Sequence, residues 1–239
     1  MKVHDIEKKI RSLPYSVFTF SDIRRVVPEK KTNLYTYLSR MKKAGLIYEV
    51  EKGKYTLATD PFEVATGLVQ PSYISFLSGL NLRGISDQIP VRLQVICTRQ
   101  KKEIMFAGMK IQFIRFHKKR IFGFEKIKHG RSEIFVADPE KLILDSLYMP
   151  EHAPVAEVFK AMQEGFDEAK LLKYAKLMDS KIVSKRLGYL LELLGSDHSQ
   201  ELRISNKYEL LNPSKNKKGS INKKWKLIVN EVIEDAYER

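Results

Sequence analysis

Apolar residues in the first part of the chain recur at helical intervals, and prolines and glycines cut the pattern into short pieces. Ile6, Ile10 and Leu13 share one helical face ahead of Pro14, which predicts a first helix that the proline ends. Ile23, Val26 and Val27 predict a second, opened by Ser21 as N-cap and stopped at Pro28. Leu34, Leu38 and Met41 give a third apolar stripe, with Thr32 or Asn33 as its cap and Gly45 where a C-terminal glycine belongs. Two β-type runs follow, Leu46 to Val50 and Tyr55 to Leu57, around the turn Glu51-Lys52-Gly53-Lys54. Three helices and a hairpin predict a winged helix-turn-helix over residues 1–59.

Beyond Asp60-Pro61 the pattern changes. Residues from Phe62 to Gly84 look helical in two pieces, the second starting at Pro71. Val91 to Thr98, Ile111 to Phe116 and Ser132 to Val136 are rich in β-branched residues and alternate, which predicts a small mixed sheet over about 85–137. Asp138-Pro139-Glu140 opens a helix carrying Leu142, Ile143 and Leu147, and Pro150 ends it. The pattern stays helical from Val155 to about Gly195, and "DEAKLLKYAKLMDSKIVSKRLGYLLELLG" reads as two helices. A lysine-rich loop, "NPSKNKKGSINKKW", then precedes an apolar run from Leu227 to Ile233. The expected class is α+β: a winged helix-turn-helix at 1–59, then an α/β domain at 60–239 whose part from 138 to 239 is helical. There is no internal repeat and no long linker.

Composition narrows the partners. With 239 residues and 43% hydrophobic content the chain can bury a sizeable core. A formal net charge of +14 and a pI near 9.6 favour anionic partners, nucleic acid first. Residues 1–59 hold thirteen Lys or Arg against six Asp or Glu, half the net charge in a quarter of the length. The one cysteine, Cys97, has no partner for a disulfide and no second thiol for a Cys-rich metal site. No signal-like or membrane-spanning run stands out, so the expected location is the cytoplasm.

The candidate chemistry lies in the third helix and the hairpin. With Leu34, Leu38 and Met41 facing inward, Lys30, Lys31, Thr32, Asn33, Tyr35, Thr36, Ser39, Arg40, Lys42 and Lys43 fall on or beside the outer faces, and the hairpin adds Lys52 and Lys54. Lysines neutralise phosphates, while hydroxyls and amides reach base edges or backbone, so this set is expected to contact double-stranded DNA. Asn33 is the candidate base reader, because an amide bonds an adenine edge at two points. The same features also occur on solvated helices and on protein-docking winged helices. His4, His117, His129, His152 and His198 are scattered without metal-ligand spacing, and no phosphate-cradling loop, nucleophile elbow or dinucleotide fingerprint occurs. No metal, cofactor or catalytic residue is therefore expected. The rival is a metal-dependent nuclease built on Asp138, Glu140 and Lys141, although Asp-Pro-Glu is equally a helix start. The run Arg115, His117, Lys118, Lys119, Arg120 and the tail lysines Lys215, Lys217, Lys218, Lys223 and Lys224 read as solvated loops, or as additional sequence-independent phosphate contacts.

In order, the strings "LSRMKKAGLIYEVEKGKYTL", "DPFEVATGLVQPSYISFLSGLNLRGISDQIPVRLQVICTR", "FIRF", "IFVADPEKLILDSLY", "RLGYLLELLG" and "NPSKNKKGSINKKWKLIVN" resemble the AbiEi-type antitoxin regulators of type IV toxin-antitoxin systems, over nearly the whole chain. The resemblance implies an amino-terminal domain that represses its own operon and a carboxy-terminal domain that counteracts a nucleotidyltransferase-like toxin without a stable complex. The expected operator is an inverted repeat read by a dimer or by two cooperating monomers. A stand-alone regulator of the same architecture is the remaining alternative.

Overall fold

A computed structural model describes residues 3–130 and 132–233 of the chain, and its architecture is mixed α and β. The amino-terminal unit runs α1 (Val3–Arg11), β1 (Val17–Thr19), α2 (Phe20–Val26), α3 (Lys31–Lys43), β2 (Tyr48–Glu51) and β3 (Lys54–Thr56). The three helical stripes meet in one core of Ile6, Ile10, Phe18, Ile23, Val27, Leu34, Leu38, Met41 and Ile47. β3 lies between β1 and β2 and pairs antiparallel with both. β1 was not expected, because three residues are too few to display an alternation.

The helix boundaries correct two cap assignments. α2 is capped by Thr19, not Ser21: Asp22 N–H donates to Thr19 Oγ1 at 3.3 Å and Thr19 N–H donates to Asp22 Oδ2 at 2.8 Å, a reciprocal capping box. α3 begins after Lys30, which places Thr32 and Asn33 in its first turn, and no side chain caps it. Its far end matches the expectation. Gly45 adopts φ +67°, Gly45 N–H bonds Lys42 O at 3.1 Å and Leu46 N–H bonds Met41 O at 2.9 Å, which closes the helix in a Schellman motif.

The second unit is organised on a six-stranded mixed sheet. Its strands are β4 (Ser72–Ile74), β5 (Arg92–Cys97), β6 (Ile104–Phe106), β7 (Met109–Arg115), β8 (Phe124–His129) and β9 (Ser132–Ala137), in the order β6-β7-β5-β4-β9-β8. β5 runs parallel to β7 and β4 parallel to β9, and the other pairs are antiparallel. The period of two divides the strands between two cores. Leu93, Val95 and Cys97 join Val64, Ala65 and Leu68 on the face covered by α4 (Pro61–Ala65). Tyr73, Ile96, Ile114 and Ala137 meet α5 (Phe76–Leu82), α6 (Pro139–Tyr148), α7 (Val155–Glu164), α8 (Glu168–Met178) and α9 (Lys181–Leu193) on the other.

Three expectations for this unit fail. The helix expected from Pro71 is replaced by strand β4, and α5 starts only at Phe76. β6 and β8 were unforeseen: one is very short, and the other, at the sheet edge, has only Phe124 and Ile127 among charged residues and so no alternation. The region 138–239 is not wholly helical, since β10 (Glu209–Leu210), β11 (Ser220–Asn222) and β12 (Leu227–Val229) form a third sheet in the order β10-β12-β11. The expected apolar run at Leu227 is thus a strand. Among the described residues no helix is long and apolar enough to cross a membrane.

Trp225, between β11 and β12, seats this third sheet on α9. Its indole is buried and occupies the place a Cβ would take at Gly188, so Gly188 is the contact that lets sheet and helix approach. Gly188→Ala is expected to lower unfolding stability by about 1–3 kcal/mol in urea denaturation despite the better helix propensity of alanine, because a rigid ring must move.

Candidate nucleic-acid interface

α3 buries Leu34, Leu38 and Met41 and leaves Lys31, Thr32, Asn33, Tyr35, Thr36, Ser39, Arg40 and Lys43 exposed, with Lys30 exposed just before it. Its pose is held by rings as well as by the core: Tyr35 stacks on Phe20 with centroids 4.4 Å apart, and Lys31 Nζ lies 5.9 Å from the Tyr35 ring. Tyr35 therefore fixes α3 to the start of α2. Thr36 Oγ1 donates to Thr32 O at 3.2 Å, and Asn33 Nδ2 donates to Glu29 Oε2 at 3.2 Å. Ser39, Arg40 and Lys43 project from the remaining turns.

The hairpin sorts its charges by side. Lys42 pairs with Glu49, which also accepts from Gly53 N–H at 3.1 Å. The Lys42–Glu49 hydrogen bond raises the Lys42 ammonium above its ordinary value and, with the Gly53 N–H, lowers the Glu49 carboxyl. Both charges are spent within the protein. Lys52 is exposed at the tip of the turn.

Lys54 corrects the expectation that it faces a partner. Its ammonium donates to Leu68 O at 2.9 Å and pairs with Glu51 at 3.3 Å. Glu51 also holds Lys101 of the second unit. Burial pushes the Glu51 carboxyl up, but hydrogen bonds and charge from Lys101 and Lys54 keep it below its usual value. Tyr48 meets Phe106 edge-on at 6.3 Å, and Ser16 Oγ donates to Glu63 O. The hairpin is thus docked on the six-stranded sheet, a tertiary arrangement that no local pattern encodes.

Sequence reasoning passed over two arginines on α2. Arg24 and Arg25 are exposed, and Arg25 reaches Asp22 at 3.4 Å in a solvated pair. The adjacent doublet ahead of Pro28 was the available signal.

The residues of the nuclease alternative point into the protein. Asp138 caps α6 through a 2.9 Å bond from Lys141 N–H, and its other oxygen meets Tyr174 Oη and Lys170 Nζ, each at 3.0 Å. Glu140 accepts from Asp167 N–H at 2.9 Å and pairs with Lys170 at 2.7 Å. Burial alone would lower the Lys170 ammonium, yet these two carboxylates hold it well above its usual range. Lys141 is fully buried against Asp145. Asp138 and Glu140 are therefore occupied as a helix start and a clamp between α6 and α8. Among the described residues no group of three or more His, Cys, Asp or Glu is placed to hold a metal ion.

No protein-family model matches this chain, and no curated protein does either. Among solved structures, the crystal structure of RV2827C protein from Mycobacterium tuberculosis is similar in fold, with a TM-score of 0.64 at 13% identity over 93% of this chain and 89% of that one.

The two hairpin lysines should behave differently on truncation. Lys54→Ala is expected to destabilise the protein by about 1–2 kcal/mol, because a charged donor is removed from a part-buried carbonyl. Lys52→Ala should stay within about 0.5 kcal/mol. Urea unfolding of the two variants side by side checks this.

Proposed function

We propose that residues 1–59 form a winged helix-turn-helix that reads duplex DNA, and that the protein is a transcriptional repressor of its own operon. The observation that carries this reading is the exposed face of α3, where Lys31, Thr32, Asn33, Thr36, Ser39, Arg40 and Lys43 stand together with Lys52 at the hairpin tip. The element order helix, strand, helix, helix, hairpin supports it. So does the uncapped start of α3, where the N–H groups of the first turn, beside Lys30 and Lys31, are available to a phosphate. In this arrangement α3 enters the major groove, α2 crosses the backbone with Arg24 and Arg25, and Lys52 contacts a flanking phosphate. Asn33 exchanges its bond to Glu29 for a base edge. Lys54 has no part in it, being tied to Leu68 and Glu51.

The second unit, residues 60–239, we assign to the antitoxin role that the AbiEi-type resemblance implies: it counteracts a nucleotidyltransferase-like toxin without a stable complex. Support comes from the order of the resembling strings along nearly the whole chain. Co-expression with a neighbouring nucleotidyltransferase-like gene is the test of this half, and toxicity that the protein fails to relieve would leave only the regulator.

DNA recognition is tested by titrating the full chain with its upstream DNA at increasing salt. Binding should weaken linearly on a log–log plot, by about 0.9 per phosphate neutralised. Asn33→Ala should lose about 1–3 kcal/mol of discrimination at one base pair. Lys52→Ala should weaken all sequences equally and lower the slope by about 1. No binding at low salt would refute the repressor reading.

A further inference from the structure

Net positive charge is concentrated in two places, and residues 231–239 carry a net −3. Residues 1–59 carry a net +7, and residues 203–230 carry another +7, with eight Lys or Arg against the single acid Glu209. The segment 60–202 between them has twenty-one basic and eighteen acidic residues. The DNA-reading unit accounts for the first concentration. Nothing in it accounts for the second.

The second concentration sits on an ordered platform. β10, β12 and β11 form its floor, with Leu211, Trp225 and Leu227 buried beneath. Its loop is held by asparagines. Asn230 Nδ2 donates to Asn212 O at 2.6 Å and Asn216 O at 2.7 Å, while Asn212 Oδ1 and Asn216 Oδ1 accept from Ser214 and Lys218 N–H at 2.9 and 3.2 Å. Gly219 passes so close to Val229 that a side chain would collide with its carbonyl. Lys224 is anchored to Glu192 at 2.8 Å and Asp197 at 3.0 Å. Against this frame Arg203, Lys207, Lys215, Lys217, Lys218 and Lys223 are exposed and, among the described residues, without an acidic partner. Tyr208, 39% exposed, stands beside Lys226, whose Nζ is 5.5 Å from its ring.

We infer that this platform is a second nucleic-acid surface, binding the phosphodiester backbone without reading sequence. Fixing like charges side by side raises self-repulsion, which a polyanion relieves by replacing its own counterions. The composition selects the class of partner. Protein interfaces are depleted in lysine and centred on apolar or aromatic anchors, whereas nucleic-acid interfaces are polar and strongly positive. Lysines act as point charges on phosphates, and an exposed tyrosine offers a face for a base.

The test uses the full chain with Lys215, Lys217, Lys218 and Lys223 all changed to Gln. Affinity is measured against salt for a short random-sequence duplex DNA, a single-stranded RNA of equal length, and poly-glutamate. Each protein is also measured in a Lys31→Ala/Lys43→Ala background, which weakens the α3 contribution and so enlarges the platform's share. The salt slope should fall by about 3–4 on duplex DNA, or about 3 on single-stranded RNA, with an unchanged melting temperature. A fall on the duplex alone identifies DNA as the source, a fall on RNA alone identifies RNA, and a fall on both identifies the shared backbone. Unchanged slopes on both nucleic acids overturn the inference. So does poly-glutamate binding as tightly as either and losing affinity equally in the variant, which would assign the surface to an acidic protein. The ratio of operator to random-DNA affinity reads α3 alone, so failure there leaves the platform result standing.

Discussion

Asp145 is a carboxylate with no access to water, and the second unit is assembled around what makes that tolerable. Lys141, one turn earlier on α6, pairs with it, while Tyr73 Oη and Ser75 Oγ from β4 and the residue after it donate at 3.1 and 2.9 Å. Burial pushes the carboxyl up and the ammonium down, and each partner's charge pulls the other back. The Lys141 ammonium also lies between the rings of Phe122, Phe116 and Tyr73 at 4.7, 5.4 and 5.7 Å. Such a pair adds little net stability over apolar residues of the same volume, yet losing one partner is severe. Its effect is to fix register. α6 turns the ion pair toward β4, and α5, α7, α8 and α9 pack against the same core.

The hairpin transmits that rigidity to the amino-terminal unit. Lys54 on the Leu68 carbonyl, Lys101 on Glu51 and the Tyr48–Phe106 contact attach it to the sheet edge and the loop beside it. Within the unit, the Phe20–Tyr35 stack and the Thr19 capping box hold α2 and α3. If this surface reads DNA as proposed, it needs little ordering when the ligand arrives, which favours affinity through pre-organisation. The attachment leaves Lys54 half-buried with its ammonium engaged, so the same residue type two positions apart serves two ends: Lys54 joins the units and Lys52 stays in solvent.

What could be read in the sequence divides along the range of the interaction. α1, α2, α3 and α6 were legible because their apolar stripes are local, and the Asp138 cap and the Gly45 stop are local signals as well. The caps of α2 and α3 slipped by two or three residues because several hydroxyl and amide residues cluster there and only the chain's approach chooses among them. β1, β4 and β6 are three residues each and owe their existence to neighbours far along the chain, such as Cys97 opposite Ser72 and Thr56 opposite Val17. For the candidate interface, exposure of the α3 residues followed from the stripe. Exclusion of Lys54 did not follow, because Leu68 is not a sequence neighbour.

The charge distribution follows from the same rigidity. A net +14 spread evenly would give weak, diffuse attraction that salt screens within about 8 Å at physiological strength. Here the middle of the chain neutralises itself through pairs such as Arg83–Glu125 at 2.7 Å and Lys170–Glu140 at 2.7 Å, and the excess is left at two folded surfaces. The hairpin packs the first surface on the six-stranded sheet, and Trp225 packs the second on α9. A polyanion long enough to reach both surfaces would meet them at a fixed spacing, so binding at one raises the effective concentration at the other only for a ligand that can follow that path. Under the proposed function, geometry as well as total charge would then decide which nucleic acids are preferred.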